Sequence, residues 1–292
     1  MPQIRTSWTR LLSVRDGGRV AALVVLVLMT IPGSGCSVNN AKKSYVLAEK
    51  LWNDGKYAAS VAEFDKIFSK DPQGPLGQQA LFRAATTQAF FLSQYGEAVR
   101  KLKIYVEQNR DKPTAWSVQQ LIGELLFSKL EQYDLASLHY QQLVKENPKA
   151  AEVPEFLFRI GKSEFYAAQF DEAIKSYRAL IKAHPSSPWS EKAAYEIGVT
   201  YFTRGEQHPG GSGPGMEAYQ EAIDSYQGFL NKFPKSELVP QAQFGIASCL
   251  EELDQLDAAY HSYEALKSTY PSPKVIEIKL ARIRERKNQR SR

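Results

Sequence analysis

The sequence predicts an all-α protein, a right-handed superhelical solenoid of about six helix pairs followed by a C-terminal capping helix. Three observations predict this fold class. A short motif recurs six times, a proline follows most copies at a fixed distance, and the spacing between copies is nearly constant. Repetition with a period of about 20 to 50 residues is typical of solenoids, because each unit stacks on the next and the core grows along the chain.

The motif is an aromatic or large apolar residue, then alanine or serine three positions later, then an aromatic residue or leucine four positions further. At these spacings the three side chains lie on one face of a helix. The first members are separated by 38, 38, 37, 49 and 37 residues. The six copies are Tyr57/Ser60/Phe64, Tyr95/Ala98/Leu102, Tyr133/Ala136/Tyr140, Phe170/Ala173/Tyr177, Tyr219/Ala222/Tyr226 and Leu256/Ala259/Tyr263.

Proline follows five copies at the same distance, eight residues after the third member, and ends the helix because it cannot continue the hydrogen-bond ladder. The second copy departs from this rule, with its proline delayed to Pro113.

An upstream partner helix has a small residue at the point where the two helices cross, and in the third repeat this residue is either Gly123 or its neighbour Glu124. The other crossing residues are Ala48, Thr86, Gly161, Gly198 and Ala247.

This pattern resembles the tetratricopeptide repeat over about residues 41–273, within a predicted solenoid domain of residues 41–292. The extra residues of the fourth interval form a predicted flexible loop, residues 206–217, rich in glycine and proline. Residues 274–288 form the predicted capping helix, whose basic face we expect to be solvated, and residues 289–292 a basic tail. The predicted repeats lie near residues 41–74, 79–112, 117–150, 154–187, 191–236 and 240–273.

The first 35 residues are typical of a secretion signal, and residues 36–40 form a short linker. Basic residues precede the apolar run Val20–Ile31, whose 12 residues span about 18 Å as a helix, less than the roughly 30 Å of a bilayer core. Ser34-Gly35-Cys36 resembles the bacterial lipobox, which implies cleavage before Cys36 and a palmitate-bearing cysteine. Ser37 after it implies sorting to the periplasmic face of the outer membrane. The segment Gly33–Gly35 is also compatible with ordinary signal peptidase.

Composition and charge argue against several function classes. The formal charge of +5 arises from +3 in residues 1–35 and +6 in residues 274–292, which leaves −4 between them and argues against nucleic-acid binding. The four histidines and two cysteines show no metal-ligand spacing, and no nucleophile motif or phosphate-binding loop occurs. We therefore expect no enzymatic activity, no metal, no cofactor and no small-molecule substrate. Cys249 is expected to be a buried helix residue.

A peptide-binding groove is predicted on the concave face, because the first helix of each pair lines that face in the tetratricopeptide family. In this chain, the positions of the first helices that face inward hold unusually many aromatic residues. Two cations among them, Arg83 and Lys162, are expected to meet a partner carboxylate. The alternative for each single ring is packing between helices. The predicted groove residues are Tyr45, Trp52, Arg83, Phe90, Phe91, Phe158, Lys162, Phe165, Tyr166, Tyr195, Phe202 and Phe244.

The opening of the mature chain is similar to the BamD-like outer-membrane assembly lipoproteins. The similarity rests on Leu51–Tyr57 and Asp71–Ala80, with their Gly-Pro and Gln-Gln elements. It implies a scaffold that receives unfolded β-barrel proteins and docks on a POTRA domain of the barrel insertase. The alternative is an adaptor lipoprotein of another envelope machine, in motility, secretion or pilus assembly, or Tol-Pal and peptidoglycan coordination. Fold alone does not decide between these roles.

Overall fold

The computed structural model describes residues 35–208 and 213–290, with side chains from residue 40 onward. Residues 1–34 of the predicted signal peptide and the Cys36 side chain lie outside this part. Within it, thirteen α-helices and no strand are present. The helices are α1 Gly35–Asn53, α2 Tyr57–Lys70, α3 Pro75–Phe91, α4 Tyr95–Gln108, α5 Pro113–Ser128, α6 Tyr133–Glu146, α7 Val153–Tyr166, α8 Phe170–Ala183, α9 Pro188–Glu206, α10 Pro214–Lys232, α11 Val239–Glu252, α12 Leu256–Ala265 and α13 Pro273–Arg290.

The helices form two compact units, divided between Leu92 and Ser93. The first unit contains α1–α3, and the second contains α4–α13. In each unit, every helix packs on the next one in sequence, and first helices of successive pairs also pack together, as α1 does with α3 and α7 with α9. Consecutive packing of this kind is the pattern of a helical repeat protein. The predicted all-α fold of helix pairs with a capping helix is confirmed.

Each pair in the middle of the chain depends on a glycine of the first helix lying against a tyrosine ring of the second. A Cβ added to Gly161 would lie 2.5 Å from the Tyr177 ring, and one added to Gly198 would lie 2.5 Å from the Tyr226 ring. Tyr177 is fully buried. Gly123 meets its tyrosine in the same way, at 2.8 Å from the Tyr140 ring, so it is the crossing residue of the third repeat.

The turns between paired helices share one backbone conformation. Five residues with positive φ each lie two positions before the first residue of the second helix: Gly55, Ser93, Glu131, Ala168 and Asp254. The left-handed region is unfavourable for residues with a Cβ, yet four of these five are not glycine. In these five pairs the second helix begins four or five residues after the last residue of its first helix.

The predicted loop 206–217 is shorter than expected. Helix α9 continues to Glu206 and α10 begins at Pro214, so residues 214–217 are helical. Proline is favoured at the first position of a helix because it lacks the N–H that would have no partner there. Residues 209–212 of this loop lie outside the part that the structure describes.

The capping helix α13 is bound by both apolar and ionic contacts. Ile276, Leu280 and Ile283 are buried against α11 and α12. The carboxylate of Glu251 is also fully buried. It accepts hydrogen bonds from Lys279 Nζ at 3.1 Å and from Arg282 Nε at 2.6 Å.

The expectation of a solvated basic face on α13 holds only in part, because its cations are about half exposed but are also ion-paired. Besides the two cations on Glu251, Arg286 and Arg290 bind Asp254, and Lys287 binds Asp257. Acidic residues of α11, α12 and the turn between them supply the partners, and sequence spacing within α13 alone does not reveal them. The helix is held by charge as well as by three aliphatic side chains.

We expect Gly161→Ala to lower the free energy of unfolding by about 1–3 kcal/mol, because the new methyl group overlaps the Tyr177 ring in a packed core. Chemical denaturation followed by circular dichroism measures the change. Gly228→Ala is the matched control, since it lies on α10 with open space around it. This control is expected to be neutral or stabilising by up to about 1 kcal/mol. Equal behaviour of the two variants would contradict the packing described here.

Glu251→Gln is expected to loosen α13, because it leaves Lys279 and Arg282 without their carboxylate and places an amide where a buried charge was paired. Removing one partner of a buried ion pair costs about 3–5 kcal/mol, and solvent access to the cations reduces this to about 2 kcal/mol. Hydrogen exchange of the α13 amides measures the effect. Glu252→Gln, on the exposed neighbouring residue, is the control and leaves exchange unchanged. Unaltered protection of α13 in the Glu251 variant argues against ionic attachment.

Candidate functional site

Three aromatic rings cluster in the first unit, and we call them the first triad: Trp52, Tyr57 and Phe91. Trp52 lies near the end of α1, Tyr57 begins α2 and Phe91 ends α3. The ring centroid of Phe91 lies 5.2 Å from that of Trp52 and 4.5 Å from that of Tyr57. Phe91 nevertheless stays 43% exposed. The cluster therefore presents an aromatic ring to solvent while its neighbours hold the ring in place.

The second unit contains an equivalent cluster, the second triad: Phe127, Tyr133 and Tyr166. These residues lie near the end of α5, at the start of α6 and at the end of α7. Tyr166 stacks on Tyr133 with centroids 5.1 Å apart and meets Phe127 at 5.8 Å. Tyr166 is 49% exposed. The same helix ends thus form the same arrangement in both units.

Cations lie over both triads, but their charges are already paired. In the first unit, Arg83 lies 4.9 Å from the centre of the Trp52 ring and binds both carboxylate oxygens of Glu49, at 2.8 and 2.9 Å. Two oriented hydrogen bonds of this kind hold a guanidinium in one plane. A partner carboxylate would have to displace Glu49. The expected role of Arg83 as a free cation is thus replaced by a role in supporting Trp52.

Lys162 repeats this arrangement in the second unit. Its ammonium lies 5.0 Å from the centre of the Tyr166 ring and 3.2 Å from each oxygen of Glu196. Arg159 lies 5.4 Å from the Phe127 ring and pairs with Glu124 at 3.4 Å. Ring faces, and not free cations, are therefore what the two triads offer a partner.

The twelve predicted groove residues differ widely in exposure. Phe90, Phe91 and Tyr166 are exposed, whereas Phe158 is 8% exposed and packs against Tyr177 and Trp189. Most of the partly buried rings pack between helices, since they lie against aromatic rings of other helices. These are Tyr45 on Phe64, Phe165 on Phe170, Tyr195 on Tyr226, Phe202 on Tyr219 and Phe244 on Tyr263.

Phe127 was not among the residues predicted from the sequence. It lies 75 residues after Trp52 and 38 residues before Phe165, so it occupies the same register of its helix. The sequence left either Gly123 or Glu124 as the crossing residue of the third repeat, so the positions of this helix could not be aligned with those of the other repeats. The contact of Gly123 with Tyr140 fixes that alignment. Tyr57 and Tyr133 were interpreted as repeat markers alone, although their rings complete the triads.

Other kinds of site find no support among the described residues. No group of three or more histidine, cysteine, aspartate or glutamate side chains there is close enough to hold a metal ion. Cys249 is fully buried, as predicted, and burial raises the pKa of its thiol to about 12, so the reactive thiolate is scarce at neutral pH. No helix in this part combines the length and apolar character needed to cross a membrane.

Comparison with known proteins supports the repeat assignment. The tetratricopeptide repeat model matches residues 155–187 and 241–273. A tetratricopeptide repeat protein from Parabacteroides merdae is 13% identical and superposes with a TM-score of 0.50, covering 87% of this chain and 89% of that one. No curated protein matches the chain by sequence.

Two further solved structures are similar. The C-terminal part of a repeat-containing protein from Cytophaga hutchinsonii is 21% identical, with a TM-score of 0.50, and covers 77% of this chain and 78% of that one. PilW, a type IV pilus biogenesis factor, is 14% identical with a TM-score of 0.48, covering 83% of this chain and 97% of that one. At these identities the likeness concerns the fold, and together with the repeat model it assigns this chain a tetratricopeptide-repeat fold.

We expect Phe91→Ala combined with Tyr166→Ala to weaken binding of a synthetic peptide that ends in an aromatic residue, taken from the C-terminus of an outer-membrane β-barrel protein. A true hot spot contributes about 1–3 kcal/mol, or roughly 5- to 150-fold in affinity. Fluorescence anisotropy measures the binding, and circular dichroism checks helicity. Met216→Ala, an exposed apolar residue outside the triads, is the control. Undiminished affinity in the double variant, with helicity intact, would exclude the triads as the binding site.

Proposed function

We propose that the protein is a non-enzymatic scaffold lipoprotein on the periplasmic face of the outer membrane, a BamD-like subunit that receives unfolded β-barrel proteins. The observation that carries this proposal is the pair of aromatic triads. Each holds one ring about half exposed at a helix end, supported by two further rings and a paired cation. Ordered, exposed aromatic rings supply large contact area at low entropic cost, which favours recognition of aromatic side chains in an unfolded partner.

The resemblance to BamD-like proteins supports the proposal through Trp52 and Tyr57. Both belong to the matched segment Leu51–Tyr57, and both form part of the first triad. The resemblance therefore includes residues that lie beside the exposed ring of Phe91. It also implies that the C-terminal repeats dock on a POTRA domain of the barrel insertase.

The matched connector, Asp71–Ala80, has a structural role in this chain. Asp71 Oδ1 accepts a hydrogen bond from the Gly74 N–H at 3.0 Å, and the Gln78 side chain donates to the Pro72 carbonyl. A Cβ at Gly77 would lie 1.8 Å from the Asp71 carbonyl oxygen, so glycine is required there. Because the turn itself needs these residues, the connector supports the assignment less than Trp52 and Tyr57 do.

The proposed anchor is a diacylated Cys36, the second residue of α1. Two or three acyl chains hold a protein firmly on a membrane because each buried CH₂ contributes about 0.8 kcal/mol, whereas a single chain binds reversibly. An anchor at this residue would lie on the same helix as Trp52 of the first triad. Unfolded β-barrel proteins must reach this membrane, so the position suits a receiving subunit.

Affinity purification from detergent-solubilised membranes tests the proposal. We expect recovery of a barrel protein that carries POTRA domains, together with β-barrel precursors, and we expect the Phe91→Ala and Tyr166→Ala double variant to lose the precursors. Reproducible recovery of a different envelope complex without any such barrel would favour the alternative, an adaptor of a motility, secretion or cell-wall machine.

The same cells test the anchor. Cys36→Ser is expected to abolish incorporation of labelled palmitate and to release the chain from the membrane fraction, because the diacylglyceryl group is joined to the protein through the cysteine sulfur. Absence of labelled palmitate in the wild-type chain would contradict the proposed anchor. It would not bear on the partners that the affinity purification recovers.

A further inference from the structure

The second unit contains an open cleft of about 750 Å³ between α4, α5 and α6. Its walls come from the second helices of two successive repeats, and α5 lies between them. Trp116 of α5 and His139 of α6 contribute rings to the lining. The His139 Nε2 atom donates a hydrogen bond to the Gln119 carbonyl oxygen at 2.7 Å, because a carbonyl can only accept. A cleft of this volume holds a ligand of about the size of a short peptide segment.

The cleft has three cations with no carboxylate partner. Lys103, Arg110 and Lys112 line it, and none of them forms an ion pair within the described part of the chain. Glu107 and Glu146 also line the cleft. Cations therefore outnumber carboxylates by three to two here, in a chain whose central region carries a net negative charge. The imbalance favours an anionic ligand.

Arg110 occupies a position where the other repeats have proline. It lies eight residues after Leu102, at the spacing that holds Pro72, Pro148, Pro185, Pro234 and Pro271 in the other five copies. A proline is compatible with the turn, as those copies demonstrate. Arg110 thus adds a cation in one of the two repeat connectors that border this cleft, the other contributing Asn147 and Ala150.

An exposed apolar stripe continues from the cleft along α6. Leu135 and Leu138 are 48% and 61% exposed. They share one face of α6 with His139 and Gln142, since the spacing is i, i+3, i+4 and i+7. Gln142 and His139 line the cleft, so the two leucines extend the same surface toward the start of the helix.

We propose that this surface docks an extended segment of a partner protein, with acidic side chains in the cleft and apolar side chains on Leu135 and Leu138. Leu138 precedes Glu146 by eight residues, which is about 12 Å along a helix. An extended chain covers that distance in about four residues. Glu146 marks the far end of the cleft along α6, so the preferred segment has an apolar pair and an acidic cluster separated by fewer than about four residues, which keeps the acidic side chains beside Lys103 and Arg110 and short of Glu146. This inference does not depend on the triads.

A labelled peptide with two leucines, a Gly/Ser spacer of about three residues and three glutamates is the probe for fluorescence anisotropy with the full chain. We expect binding that weakens about tenfold in Lys103→Ala/Arg110→Ala, weakens in Leu138→Ser, and falls with added salt because exposed charges are screened. Arg100→Ala is the matched control, since Arg100 lies on α4 but is paired with Glu97. It should bind like the wild type.

The outcomes against the proposal are equally specific. Equal affinity for a peptide with lysines in place of the glutamates, or unchanged binding by the Lys103/Arg110 variant, would overturn it. Absence of binding by the glutamate peptide would do so as well. Because all these side chains are exposed, helicity is expected to persist in every variant. The Phe91→Ala and Tyr166→Ala double variant must bind this probe normally, which separates failure here from failure of the proposed receiving function.

Discussion

The close contact between a small residue on one helix and a tyrosine ring on the next sets the geometry of the central repeats. In Gly123–Tyr140, Gly161–Tyr177 and Gly198–Tyr226 the ring occupies the space that a Cβ would need. Because glycine removes that Cβ, the helix axes approach closely and the ring becomes buried. Protein interiors are packed so densely that adding one methyl group changes stability, so this contact constrains how closely the two helices pack. The second triad lies on helices that two of these contacts hold, Gly123–Tyr140 and Gly161–Tyr177.

The triads follow from the repeat because helix ends recur at fixed places. Three helix ends meet in each unit. They are the ends of α1 and α3 with the start of α2 in the first unit, and the ends of α5 and α7 with the start of α6 in the second. Aromatic residues at these three places form Trp52–Tyr57–Phe91 and Phe127–Tyr133–Tyr166. The ion pairs Arg83–Glu49 and Lys162–Glu196 then neutralise the cations beside the rings. What remains accessible is chiefly apolar ring surface, which is the property that the proposed receiving function uses.

Much of the fold was predictable because the repeat period, the spacing within the three-residue motif and the connector prolines are local features of the chain. The third repeat shows the limit: Gly123 and Glu124 are adjacent, and only the Tyr140 contact distinguishes them. That one-residue ambiguity concealed Phe127. The structure also identifies interactions between distant residues that spacing does not reveal. Arg83 is expected from the sequence to meet a partner carboxylate, whereas the structure pairs it with Glu49, 34 residues away. The ion pairs of α13 likewise join it to residues distant in sequence.

The groove prediction was limited by the same cause. Sequence position identifies residues that face the neighbouring repeat, but it does not separate a ring covered by that repeat from a ring that remains open. Phe158 and Phe91 both occupied predicted inward positions, yet one is buried against Trp189 and the other is 43% exposed. The difference lies in the adjacent helix. Exposure therefore had to come from the structure.

Photocrosslinking in living cells tests the central claim most directly, namely that the exposed rings of the triads contact unfolded β-barrel proteins. Benzoylphenylalanine replaces Phe91 in one strain and Tyr166 in another, and Met216 in a control strain. The account predicts ultraviolet-dependent adducts with outer-membrane β-barrel precursors from the first two positions and none from the third. Adducts confined to other proteins, or equal labelling from all three positions, would contradict it.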